Sequence, residues 1–164
     1  MSIPIVNLAR RAFFRGRATD QASPLRPPWA LVEHDFVALC TGCGDCVTAC
    51  PTEIIDMAAP RRPPTMNFSH GECTFCGQCA TACRPGALVR NSDDAPWPYK
   101  ASAGESCLAR QQVECRSCGD FCPEGALRFP PRAGGPALPV LLEERCTGCG
   151  ACQAPCPTGA IRIL

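Results

Sequence analysis

The chain has 164 residues, and sixteen of them are cysteine, a density that usually marks a metal or disulfide scaffold. The formal net charge is only +1, which argues against a nucleic-acid-binding protein with a broad basic face. No apolar run approaches the roughly 20 residues of a membrane-spanning helix, so the chain is not expected to cross a bilayer. Domains of about 60 to 80 residues seldom fold without metals or disulfides, so this length favours two stabilised modules.

The first thirty residues contain no cysteine but carry an arginine pair. Arg10-Arg11 is followed by Ala12-Phe13-Phe14, which resembles a twin-arginine export motif. A signal peptide also needs an apolar h-region, and none follows, so we expect the protein to stay in the cytoplasm. Two interpretations of residues 1–30 stay open, a short amphipathic arm with a basic side and a frayed terminus.

The cysteines fall into four groups of four. Three groups share the spacing C-x2-C-x2-C-x3-C: Cys40, Cys43, Cys46 and Cys50; Cys73, Cys76, Cys79 and Cys83; and Cys146, Cys149, Cys152 and Cys156. The remaining group is a variant with a longer first gap: Cys107, Cys115, Cys118 and Cys122. Similar sequence follows every group, with an aliphatic residue five positions after the last cysteine, so the groups read as repeats of one unit arranged in two pairs.

Short apolar segments bounded by Gly and Pro flank the cysteine groups and predict strands. In chain order they are residues 64–68, 87–89, 126–129, 139–142 and 160–163. Residues 78–83 and 151–156 suit one or two helical turns, because the proline that follows cannot continue a helix. The stretch 91–106 has no periodicity and is predicted to be a linker.

Three kinds of chemistry use this many cysteines. Disulfides need an oxidising compartment, and closely spaced cysteines would have to find distant partners. Structural zinc usually takes two C-x2-C pairs from separate hairpins, whereas here three thiolates lie on one tight loop. The C-x2-C-x2-C-x3-C run is the bacterial [4Fe–4S] pattern, in which the fourth cysteine ligates the other cluster of a pair. We therefore predict four [4Fe–4S] clusters.

Crossed ligation gives each cluster three cysteines of one group and one of its partner group. The predicted sets are Cys40, Cys43 and Cys46 with Cys83; Cys73, Cys76 and Cys79 with Cys50; Cys146, Cys149 and Cys152 with Cys122; and Cys107, Cys115 and Cys118 with Cys156. The long gap after Cys107 cannot form the same tight loop, so this set would hold a [4Fe–4S] cluster, a three-iron cluster or nothing. Because four thiolates outweigh one [4Fe–4S]²⁺ core, four clusters would bring the net charge from +1 to about −7.

Other residues near the cysteines have simpler interpretations. Phe75 and Phe121 lie inside cysteine groups and are predicted to shield a cluster or to join the core. His34 and His70 are not expected to be ligands, because sixteen thiolates already fill four sites. No Ser/His/Asp set, P-loop or dinucleotide-binding motif is visible, so we do not expect an enzyme. Four glycines each follow a cysteine, where a tight loop is expected to need positive φ or a close approach of the backbone: Gly44, Gly77, Gly119 and Gly150.

These features predict an α+β fold of two tandem dicluster-ferredoxin-like modules, with short antiparallel hairpins and short helices around the clusters. The predicted divisions are a basic arm at residues 1–30, a first module at 31–90, a linker at 91–106 and a second module at 107–164.

Several segments together resemble the NapF family, ferredoxin-type proteins of the periplasmic nitrate reductase system. They are the arginine pair, Arg26-Pro27-Pro28-Trp29 and the cysteine-containing segments 71–76, 107–118 and 146–152. Arg84 departs from the ferredoxin pattern, since proline usually follows the fourth cysteine. The resemblance implies a cytoplasmic accessory protein that acts on the molybdenum-containing catalytic subunit before export, with the arginine pair as a possible contact. The alternative is an electron-transfer ferredoxin between a donor complex and a reductase.

Overall fold

The computed structural model describes residues 24–91 and 94–164. The arginine pair and most of the predicted arm lie outside the described residues. Four helices are present in the described part: α1 (Glu33–Leu39), α2 (Asp45–Thr48), α3 (Gln78–Thr81) and α4 (Ser117–Asp120). Its six strands are β1 (Ile55–Asp56), β2 (Thr65–Met66), β3 (Ala101–Ala103), β4 (Leu127–Arg128), β5 (Val140–Leu141) and β6 (Ile161–Ile163).

Helix α1 leads the chain into the first cysteine loop. Its first turn carries Glu33 and Asp35, and negative charge there favours the helix dipole. Arg26 holds this end in place through two hydrogen bonds to the Glu33 carboxylate, of 2.6 and 2.9 Å, which lower the pKa of Glu33. Phe36 is buried, and the helix ends where the Cys40 N–H donates to the Phe36 carbonyl oxygen at 2.9 Å. A packed helix therefore fixes the position of Cys40.

The strands form three two-stranded antiparallel sheets that repeat one plan. β1 pairs with β2 and β4 with β5, so each hairpin joins the two cysteine groups of one module. In the second module β3, which precedes the first group, pairs with β6, which follows the last. The first module has a reduced version of this ladder, a single bridge between Ala30 and Leu88. The two ends of the second module are thus joined by a ladder, and those of the first module by a single bridge.

The predicted elements agree with the structure in most places. Strands β2, β4, β5 and β6 lie inside predicted segments, whereas segment 87–89 makes only the bridge at Leu88. Helix α3 lies inside the predicted turn 78–83, but residues 151–156 form turns without a helix, so the helical prediction there is wrong. Strand β3 falls within the predicted linker 91–106 and belongs to the sheet of the second module.

One apolar core is shared by both modules. Phe68 follows β2 in the first module, Leu127 lies in β4 of the second, and Trp97 comes from the segment between them. The Trp97 ring packs edge-on against Phe68 and Phe75, with centroids 6.2 and 5.5 Å apart. Its Nε1 donates to the Thr147 carbonyl oxygen at 2.9 Å. This segment therefore packs the modules together. A second cluster, centred on Trp29 and Phe36, lies in the first module.

Candidate metal centres

The first predicted set of cysteines lines one cavity. Cys40, Cys43 and Cys46 lie on the loop after α1 and in α2, and Cys83 comes from the second cysteine group. The cavity has about 340 Å³ of empty space, part of it open to solvent, and Phe36 and Leu88 supply part of its apolar wall. Three thiols of one loop and one thiol of the partner group therefore face a common space.

The same arrangement recurs twice. A cavity of about 320 Å³ is lined by Cys73, Cys76 and Cys79 together with Cys50. Another, of about 310 Å³, is lined by Cys146, Cys149 and Cys152 together with Cys122. In the described ranges no three Cys, His, Asp or Glu side chains are placed to hold a single metal ion. The thiols instead surround spaces of nearly equal volume, and this donor set suits a thiolate-ligated cluster.

The variant group is also brought together. Burial and, after it, the negative charges of Cys107, Cys115 and Cys156 raise the pKa of Cys118, so these three cysteines lie near it. The long gap after Cys107 folds as compact turns, in which the Gln111 N–H donates to the Cys107 carbonyl oxygen at 3.1 Å. Cys107 and Ala109 are both buried in a small cluster with Ala160. The inserted residues therefore leave Cys107 next to the other three cysteines.

Backbone N–H groups point at several of the thiols. The Leu88, Ala126 and Ala160 N–H groups donate to the Sγ atoms of the last cysteines of their groups, Cys83, Cys122 and Cys156, at 3.2–3.4 Å. The Phe75 and Ala101 N–H groups make similar contacts with Cys73 and Cys146, at 3.4 and 3.5 Å. Hydrogen bonds of this kind stabilise thiolates and help to set the reduction potential of a cluster.

Burial shifts the thiol pKa values upward. Desolvation raises the pKa of Cys73 and Cys152 to about 12, and neighbouring thiols add to the effect on Cys152. It also raises the pKa of Cys46, Cys79 and Cys118 to about 11, and it raises the pKa of Cys149. Cys156 is the exception: burial opposes ionisation, but backbone N–H donors, Ile161 first, outweigh it and lower the pKa. Metal binding therefore has to displace protons from most of these thiols.

The tight loops depend on glycine at one position. Gly44, Gly77 and Gly150 have φ of 85°, 80° and 84°, each directly after the second cysteine of its group, as predicted. Gly119 lies inside α4 and does not have positive φ, but a Cβ atom there would overlap the Phe129 ring, so the expected close approach applies at this position. In the variant group Arg116 follows the second cysteine, with φ of −133°. The long gap after Cys107 thus comes with a different loop geometry.

The remaining predicted residues divide between the sites and the surface. Phe75 lines the second cavity, in agreement with the prediction. Phe121 is 62% exposed, so the prediction that it shields a cluster or joins the core is wrong. His34 and His70 are exposed, and His34 Nδ1 lies 3.0 Å from an Asp35 carboxylate oxygen. No helix in the described ranges is long and apolar enough to span a membrane.

A contact between the modules was not predicted from the sequence. The Cys73 N–H donates to the Cys149 carbonyl oxygen at 2.8 Å, which joins the second and third cysteine sets. The negative charge of Glu72, beside Cys73, is one of the smaller causes of the raised pKa of Cys149. The cysteine spacing describes each module separately and carries no signal for this contact.

Comparison with known proteins identifies relatives of the same kind. Residues 39–87 and 113–160 each match the 4Fe-4S dicluster domain family. The ferredoxin-type protein NapF of Haemophilus influenzae is 41% identical, over 97% of this chain and 95% of that protein. NapF of Escherichia coli K12 is 39% identical, over 95% and 94%. The methylamine utilization ferredoxin-type protein MauM of Methylorubrum extorquens is 35% identical, over 98% of this chain and 81% of that protein.

Proposed function

The chain belongs to the NapF family of ferredoxin-type proteins, and from this we propose that it assists the maturation of a periplasmic nitrate reductase. Its cofactors are [4Fe–4S] clusters, held by two 4Fe-4S dicluster domains. In this role the protein acts in the cytoplasm on the molybdenum-containing catalytic subunit before export. It supplies that subunit with electrons or with cluster material, and it is an accessory protein without catalysis of its own.

We assign the cluster ligands by crossed pairing, four thiolates to each cluster. The sets are Cys40, Cys43, Cys46 and Cys83; Cys73, Cys76, Cys79 and Cys50; Cys146, Cys149, Cys152 and Cys122; and Cys107, Cys115, Cys118 and Cys156. The observation that supports this ligand assignment is the presence of three cavities, each of which has one of the first three sets of four cysteines in its lining. When bound, each cluster can accept and return one electron.

The chain itself supplies ligands, apolar cover and hydrogen bonds. Phe36 and Leu88 in the first cavity and Phe75 in the second restrict access of water. The N–H donors at the last cysteines favour the negative charge of the thiolates. Modules at residues 31–90 and 107–164, joined by 91–106, would form the cluster-bearing body. Residues 1–30 would form a basic arm whose Arg10-Arg11 pair contacts the partner.

An anaerobic pull-down from cytoplasm, at native expression, tests the partner. We expect recovery of the unexported catalytic subunit, and loss of that recovery when Arg10 and Arg11 are both replaced by Ala. Replacement of Arg15 and Arg17 is the matched control, because it removes the same charge from the same segment. Absence of the precursor from the wild-type pull-down, or a fully loaded and active exported reductase in a deletion strain, would contradict the proposal.

The second candidate is an electron carrier between a donor complex and a reductase. The contact between Cys73 and Cys149 favours it, because it joins cysteines assigned to clusters in different modules. This function predicts rapid, reversible reduction of the protein by a quinol- or formate-linked membrane complex. Failure of every such complex to reduce it would exclude this candidate, and pull-down of a donor complex without the precursor would favour it.

A further inference from the structure

We propose that the two modules form one continuous path for electrons, joined by the hydrogen bond between Cys73 and Cys149. This proposal rests on the ligand sets assigned above. The Cys73 N–H donates this hydrogen bond to the Cys149 carbonyl oxygen, and the nitrogen and oxygen are 2.8 Å apart. A through-bond route therefore leads from the Cys73 Sγ along its own backbone, across this bond, and along the backbone of Cys149 to its Sγ.

The same contact indicates the sequence in which the four cysteine sets follow one another along the path. Cys46 of the first set and Cys79 of the second lie in the same hydrophobic core cluster of side chains. Cys118 of the fourth set and Cys152 of the third lie in the other large hydrophobic core cluster. The Cys73–Cys149 bond links the second set to the third, so the Cys40 and Cys107 sets are the two ends of the path. With clusters held by these four sets of cysteines, each transfer would move one electron from one set to the next, with no bond formed or broken. The first electron comes from a one-electron reductant.

Tight packing beside the bond keeps the modules in register. Gly150 directly follows Cys149, and a Cβ atom at this position would overlap the ring of Phe68 in the other module. Phe68 is 1% exposed, so the ring has little room to move. Trp97 packs against Phe68 and donates to the Thr147 carbonyl oxygen in the same loop. Gly150 is therefore a positioning residue for the contact between the modules.

The sequence offers a matched control for Gly150. Gly44 occupies the same place in the first cysteine group, and its φ of 85° nearly equals the 84° of Gly150. A Cβ at Gly44 would meet only the Met57 Sδ, at 3.7 Å, which is an ordinary contact. Gly44→Ala and Gly150→Ala therefore carry the same backbone strain, but only Gly150→Ala pushes the modules apart.

The test compares anaerobically prepared holoproteins of the wild type, Gly44→Ala and Gly150→Ala. Iron and sulfide content is measured first. Electron paramagnetic resonance of the dithionite-reduced proteins then reports magnetic coupling between clusters, and rapid freezing after substoichiometric reduction reports how electrons redistribute. Gly44→Ala strains its own cysteine loop and is therefore the reference for iron lost through backbone strain alone; we expect it to keep the wild-type coupling between the modules. Gly150→Ala should lose the magnetic coupling between the modules. After substoichiometric reduction, electrons should redistribute among its clusters more slowly than in the wild type.

Full iron in Gly150→Ala, with wild-type coupling and redistribution, would overturn the proposal. If Gly150→Ala loses iron, the double variant Phe68→Leu/Gly150→Ala decides, because the smaller side chain makes room for the Cβ. It should regain both iron and coupling, and regained iron without coupling also contradicts the proposal. A wild type with full iron but no coupling between modules refutes the electron path alone. A wild type without iron and sulfide refutes the ligand assignment.

Discussion

The shared core predicts that Phe68 stabilises both modules at once. Phe68 is 1% exposed, packs against Trp97 and covers Gly150 of the second module. Truncation of a buried Phe to Ala removes its transfer free energy and leaves a cavity, at a cost of about 3–5 kcal/mol. For a chain of this size 1 kcal/mol corresponds to about 2–4 °C, so Phe68→Ala should lower the unfolding midpoint by roughly 6–20 °C.

Anaerobic thermal unfolding of the holoprotein measures this effect, followed by circular dichroism and by loss of the brown iron–sulfur absorbance. Phe121→Ala is the matched control, because Phe121 is 62% exposed and its loss should change stability by no more than about 0.5 kcal/mol. Both signals should fall in one transition for every variant, since the modules share one core. Equal midpoints for the two variants, or separate transitions for the two modules in the wild type, would refute the reasoning.

Three further predictions follow from the sites. Cys83→Ser should lose the same iron–sulfur signals as Cys40→Ser, because both residues line one cavity; loss of a different cluster would exclude crossed ligation. Trp97→Phe should be about 1 kcal/mol less stable than Trp29→Phe in the same melt, since Trp29 Nε1 has no hydrogen-bond partner among the described residues. The holoprotein should bind an anion exchanger at pH 7 and the iron-free protein should not, because bound clusters bring the charge from +1 to about −7; equal retention would contradict four clusters.

The sequence predicted what depends on local spacing. Identical loops of three cysteines indicated the metal chemistry, and crossed pairing groups the cysteines as they lie around three cavities, while their role as cluster ligands stays a prediction. Glycines after the second cysteines were recognisable because a tight loop there requires positive φ. Apolar segments next to Gly and Pro located four of the six strands. Apart from the pairing of one cysteine group with another, all of these signals lie within a few residues along the chain.

What the sequence missed depends on contacts between distant segments. The stretch around Trp97 has no periodicity and looked like a linker, yet it packs the modules together and continues into β3. Strand β3 is recognisable only through its partner β6, about sixty residues later in the chain. Phe121 looked like cover for a cluster because it lies between cysteines, but its turn directs the ring to solvent. The position of Phe121 within the cysteine motif indicated its backbone conformation, but it did not indicate whether the side chain is buried.

The most direct test of this account is the iron and acid-labile sulfide content of protein purified anaerobically, together with its Mössbauer spectrum. Four [4Fe–4S] clusters require about sixteen iron and about sixteen sulfide per chain, with the spectrum of [4Fe–4S]²⁺ centres. A value near fifteen iron would indicate a three-iron cluster, which the Cys107 set is best suited to hold because of its longer loop. A colourless protein with zinc and no sulfide would contradict the ligand assignment and every electron-transfer role built on it.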